Sequence, residues 1–255
     1  LIILVARRGL FRFTARRIRF FVVTSILGYI LPLGGTLYAA QALSAGMLAL
    51  LISLAPLFTF GAAALFRTEQ ISGLRIAAML TGCVATALVL LPEAAVPDLG
   101  LLPWMLLALL IPFCYGVESV FIDANWPPEL DVIQVGFGEA LIATLLLLPL
   151  MLLRGEPLLI AWQWNPGSYA MLVFAASGII EVVMYFYLIK TTGAVLVSFA
   201  TFVSLFAGIG WGMLLFAETH DRWLWLAAAV LVAALTMVSL DALRTRRRVD
   251  ATHPQ

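Results

Sequence analysis

The chain has 255 residues, 63% of them apolar and only 11% Asp, Glu, Lys or Arg, and its mean hydropathy is +1.06. A soluble domain carries roughly 45–50% apolar and about 25% charged residues, so an ordinary cytosolic enzyme, a nucleic-acid binder and a disordered tail are excluded, and the missing solvent is a lipid bilayer. The net charge of +1 carries no information about partners. At about 20 residues per membrane helix and about five per connection, the length permits at most roughly ten spans.

The chain opens with the apolar stretch Leu1–Ala6, followed at once by Arg7 and Arg8. A signal peptide has its charges before the apolar run, not after it. Six helical residues rise only about 9 Å. The expectation is the cut end of a helix belonging to a longer, amino-terminally truncated protein. Eight apolar runs of spanning length follow, approximately Arg19–Ala40, Ser44–Phe66, Leu74–Pro92, Leu101–Ile122, Asp131–Leu153, Tyr169–Ile189, Ala194–Phe216 and Trp223–Leu240. They are too long, and alternate too little, for strands of a membrane barrel. The fold class predicted is an all-α polytopic membrane helix bundle.

The basic residues orient it. Arg7, Arg8, Arg12, Arg16, Arg17 and Arg19 precede the first full span, and Arg244, Arg246, Arg247 and Arg248 follow the last. Cytoplasmic loops carry the Lys/Arg excess, and an even number of spans puts both clusters on one face. With eight spans Arg67, Arg75 and Lys190 join them, and only Arg154 and Arg222 fall outside, a ratio of 13 to 2. Cys83 and Cys114 lie within apolar runs and read as small buried hydrophobes. Neither His220 nor His253 sits in a long apolar run, which removes a bis-histidine metal or haem site.

A weak internal repeat lays Tyr38–Leu90 over Tyr187–Ser239 at a constant offset of 149 residues. Tyr38 meets Tyr187, Ala45 meets Ala194, Gly61 meets Gly210, Leu65 meets Leu214 and Glu69 meets Glu218. The Glu69 loop is expected inside and the Glu218 loop outside, as in the inverted repeats of secondary transporters.

The first copy has a small-residue entry at Ser44-Ala45-Gly46, a mid-helix Pro56, an exit at Leu65, Phe66 and Glu69, and then Gly82. This pattern resembles the signature of EamA-type transporters of the drug/metabolite transporter superfamily. The second copy departs from it where Leu205 stands in place of the proline. The resemblance implies ten helices in two inverted five-helix repeats. Residues 1–92 would then be a partial first repeat of a remnant plus three spans, 101–241 a complete second repeat, and 242–255 a basic cytoplasmic tail. It also implies a multi-pass protein of the bacterial inner membrane, moving small metabolites and often exporting them, and the basic residues put its C-terminus on the cytoplasmic side.

Three acids stand where lipid disfavours them, at about 2.5–3.5 kcal/mol for a charge at mid-bilayer. They are Glu118, Glu139 and Glu181, and no Lys or Arg shares their spans at similar depth. Counting from Asp123, Asp131 and Lys190 puts them roughly 8–14 Å from the cytoplasmic ends of three consecutive helices, where they could converge on one cavity. Ser177, Glu181 and Tyr185 form one stripe, Tyr115 lies three residues before Glu118, and Trp211 is the most interior tryptophan. Carboxylates, hydroxyls and aromatic faces suit an organic cation or an amino-acid ammonium. Each also has a plainer reading: a protonated Glu as helix glue, Tyr and Trp as interfacial anchors, and Gly208, Gly210 and Gly212 as packing residues.

The function expected is secondary transport, as an exporter, of a small metabolite such as an amino acid or organic cation, by alternating access and with proton coupling. The partners expected are that substrate, membrane lipid, protons and, as an option, a second copy of the chain; no cofactor or metal is expected. The alternative is a channel or sensor-like membrane protein. A membrane hydrolase is set aside, because no span holds a deep Asp, a His-Glu-x-x-His, a Gly-x-Ser-x-Gly or an interior His. A chain lacking its first two helices is expected not to transport by itself.

Overall fold

In the computed structural model the described residues are 12–43, 45–68, 72–90, 99–153, 165–216 and 222–252. The expectations for Leu1–Ala6, Arg7, Arg8, Ser44, Glu69, Arg154, Glu218, His220 and His253 lie outside them. Among the described residues the structure is helical, without strands. Ten helices follow in order: α1 (Ala15–Ala39, with a π-turn at Ile26–Ile30), α2 (Ala45–Ile52), α3 (Ala55–Phe66), α4 (Gly73–Leu90), α5 (Leu102–Asn125), α6 (Val132–Leu153), α7 (Pro166–Thr192), α8 (Ala194–Ser198), α9 (Ala200–Phe216) and α10 (Arg222–Thr252).

Among the described residues, six stretches are long and apolar enough to cross a membrane: Ala15–Ala39, Leu102–Asn125, Val132–Leu153, Gly167–Thr192, Ala194–Trp211 and Leu224–Asp241. Two expected spans take other forms. The run Ser44–Phe66 divides into α2 and α3 about Ser53 and Leu54, and the third expected span is the shorter apolar helix α4. Pro56 explains the division. Its ring cannot tolerate the carbonyl of Ile52 four residues back in a continuous helix, and α2 ends at Ile52. Nor is there a break before the expected tail, since α10 runs on through Thr252.

The equivalent run after Gly193 is interrupted too, at Phe199, without any proline. Here the hydroxyls of Ser198 and Thr201 donate to the carbonyls of Val195 and Ser198. Such back-bonding competes with the helical ladder and bends it.

Specific contacts tie the expected inner loops together in two groups. Arg17, at the start of α1, pairs with Glu129 in the α5–α6 loop at 3.1 Å, and this guanidinium holds the Glu129 carboxyl below the usual carboxylate range. Lys190, near the end of α7, lies 4.9 Å over the ring of Trp126 in the same loop. At the start of α4, Arg75 Nε and Ser72 Oγ both donate to Asp241 of α10, at 2.7 and 2.6 Å. Helices α4 and α10 therefore run antiparallel, with Ala78, Met79 and Ala85 in one core with Leu231 and Val238.

Glycines allow the closest crossings, as expected where lipid supplies no hydrophobic drive between helices. A Cβ on Gly116 of α5 would stand 2.6 Å from the backbone nitrogen of Thr59 in α3. The Phe202 ring fills the corresponding space at Gly82, and the Phe21 ring does so at Gly138. Gly208 and Gly210, expected to serve packing, have no neighbour in the Cβ position.

Candidate functional site

Two of the three expected intramembrane acids meet. Glu118 of α5 and Glu139 of α6 are 3% and 2% exposed, and their carboxyl groups are hydrogen-bonding neighbours. They lie between two apolar layers. Toward the N-terminal end of α5, Ile111 and Ala108 pack with Ala39, Leu43 and Leu51, and toward its C-terminal end Ile122 packs with Phe20, Phe21 and Val135. Helix α7 adds Tyr185, whose hydroxyl donates to Glu118 Oε2 at 3.3 Å.

Helix α1 roofs the pair, and its part was not anticipated. Thr24 and Ser25 are fully buried. The Thr24 hydroxyl borders the Glu139 carboxyl, and Ser25 Oγ donates to the Glu139 backbone oxygen at 2.9 Å. One turn on, Gly28 sits directly on Glu118: a Cβ there would be 2.5 Å from Oε1 and 2.8 Å from the carboxyl carbon. Gly28 is at the centre of the π-turn Ile26–Ile30, whose closing bond runs from the Leu31 N–H to the Ile26 carbonyl. Pro32 accounts for that turn, because its ring would strike the Gly28 carbonyl in a regular helix. Single π-turns of this kind are frequent at functional sites. The sequence signal was present as small polar residues at helical spacing, Thr24, Ser25 and Gly28, inside an apolar span.

The other expected site residues are placed differently. Tyr115 lies partly buried on α5 within electrostatic reach of Glu118 and Glu181. Glu181 and Ser177 lie on the exposed side of α7. Tyr29 of α1 links the two arrangements, being an electrostatic neighbour of Glu118, Glu139 and Glu181 together. Trp211 is 60% exposed on α9 and belongs to none of these contacts. Oε1 of Glu139 is one of three buried side-chain atoms without a hydrogen-bond donor among the described residues, with the hydroxyls of Thr68 and Thr86. Among the described residues no group of His, Cys, Asp and Glu has the makings of a metal site.

The comparisons agree with this architecture. The model of the EamA-like transporter family matches residues 102–240, which holds α5 to α9 and most of α10. The roof over the acid pair, in α1, lies outside the matched segment. A solved structure described as "Crystal structure of protein" superposes with a TM-score of 0.74 over 94% of this chain and 83% of that chain. At 19% identity it speaks for the fold alone. The search of curated proteins found no match.

Proposed function

Since this chain belongs to the EamA-like transporter family, we propose that it is a secondary carrier that exports a small metabolite across the bacterial inner membrane by alternating access, with proton coupling. The observation that carries this reading is the buried pair Glu118–Glu139, two acids inside apolar helices with no basic side chain against them among the described residues. Membrane helices keep ionisable groups where ions or substrates pass. The broken helices α2/α3 and α8/α9 fall in corresponding parts of the 149-residue repeat, which supports two inverted repeats moving about a central site.

A substrate with an ammonium group, an amino acid or organic cation, fits the side where Glu181, Tyr115 and Tyr29 are within electrostatic reach of one another. Carboxylate and aromatic faces both attract such a group. Ser177 and Tyr185 extend that side along α7, and Trp211 belongs to the proposed path only if α9 turns its exposed face inward.

Counterflow tests the reading. Proteoliposomes holding the full-length protein and preloaded with unlabelled amino acids or organic cations are expected to accumulate the labelled compound transiently and saturably. Flux that rises linearly with concentration and shows no counterflow would establish the channel instead.

A further inference from the structure

The groups around Glu118 and Glu139 supply no positive charge. Helix α1 contributes Thr24, Ser25 and Tyr29; α5 contributes Tyr115 and Cys114; α7 contributes Tyr185 and, on its exposed side, Glu181. The two acids therefore bond to each other rather than to a base. A hydrogen bond between two carboxyl groups contains a proton, because two carboxylates offer only acceptors. The unpartnered Glu139 Oε1 leads to the same conclusion. A buried anionic oxygen without a donor is costly, whereas a protonated carboxyl tolerates the position.

Space limits the occupant as well. With Gly28 packed on it, the α1 side of Glu118 has no room for one added carbon. The ammonium of an organic substrate does not fit there, while a proton needs no such room.

We propose that Glu118 and Glu139 form a site for a single exchangeable proton, shared between α5 and α6 beneath the π-turn of α1, whose release separates the two carboxyls. On release the O–H bond breaks, the proton passes to water, and both groups are left as anions that repel. Glu118 cannot withdraw toward α1, because Gly28 fills that side. The relief comes from movement of α5, of α6 with Glu139, or of the π-turn, so one proton controls the contacts among α1, α5 and α6. This deepens the carrier reading and rests on it for its purpose.

Infrared difference spectra of the protein in lipid vesicles, taken between neutral and alkaline pH in water and in heavy water, test the site without requiring transport. The expected result is one protonated-carboxyl carbonyl band that shifts in heavy water and vanishes at alkaline pH. Glu118→Gln and Glu139→Gln should each abolish or displace that band, and Glu181→Gln should leave it in place. Where a Gln variant fails to fold, Glu118→Asp keeps the acid, lengthens the gap and should displace the band. A neutral-pH spectrum with no such band, or a band that answers to only one member of the pair, would overturn the proposal. Counterflow without the band removes the proton site alone, and the band without counterflow removes the carrier reading alone.

Discussion

At the scale of single residues, Gly28 carries more than its size implies. Adding one methyl group would drive a carbon to 2.5 Å from Glu118 Oε1. Glu139 and Tyr185 engage the carboxyl from other sides, so it yields only by giving up those contacts. Overpacking costs about 1–3 kcal/mol, so if the acids must separate and rejoin in each cycle, Gly28→Ala should slow counterflow by about tenfold or more. Circular dichroism and size-exclusion profiles should stay those of the parent protein. A counterflow rate equal to the parent's would mean that the Gly28–Glu118 contact has no part in the cycle. The three acids were legible in the sequence as charges in apolar runs. Which two would meet was not. That depends on the rotation of α7 about its axis, which turns Tyr185 inward and leaves Glu181 on the exposed side. The stripe of Ser177, Glu181 and Tyr185 marked the polar face of α7 but not how much of its length is covered, and only Tyr185 is packed against Glu118.

At the scale of elements, glycines of similar appearance in the sequence divide into two kinds. Gly116 of α5 holds the backbone of Phe58 and Thr59 at 2.6–2.7 Å from its Cβ position, while Gly208 of α9 has open space there. Backbone cannot swing aside as a side chain can. Gly116→Ala should therefore force α3 and α5 apart and cost about 1–3 kcal/mol, against a gain of at most about 1 kcal/mol in helix propensity. Gly208→Ala collects that gain without the clash. Thermal unfolding in detergent should show Gly116→Ala melting below the parent and Gly208→Ala at or above it, and the reverse order would mean that α3 and α5 do not pack as described. Helix existence was legible from hydrophobic length alone, and the break before α3 from Pro56. The break between α8 and α9 was not, because Leu205 in the proline's place pointed away from it. Its cause lies in the Ser198 and Thr201 hydroxyls, which promise only a mild bend from sequence.

At the scale of the whole molecule, the charge distribution and the three-dimensional contacts are consistent with one another. The sequence assigns the starts of α1, α4, α6 and α8 and the ends of α3, α5, α7 and α10 to one side by the Lys/Arg excess. The structure joins these termini in two groups, the start of α1, the α5–α6 loop and the end of α7 through Arg17–Glu129 and Lys190–Trp126, and the start of α4 with α10 through Arg75–Asp241. The opposite end holds the N-terminus of α7, where Asn165 caps the helix by accepting from the Ser168 N–H at 2.9 Å, and the start of α10 at Arg222. If the basic end faces the cytoplasm, a cysteine at the exposed Glu129 should react with a membrane-impermeant maleimide only in inverted vesicles. A cysteine at the exposed Asn165 should react only in intact spheroplasts. The parent background is suitable, because Cys114 is buried and Cys83 is half-buried. Labelling of both positions from one side would break the even number of crossings, and with it the two-repeat reading. Labelling with the sides exchanged would keep the bundle and reverse its orientation, moving the acid pair into the outer half of the membrane.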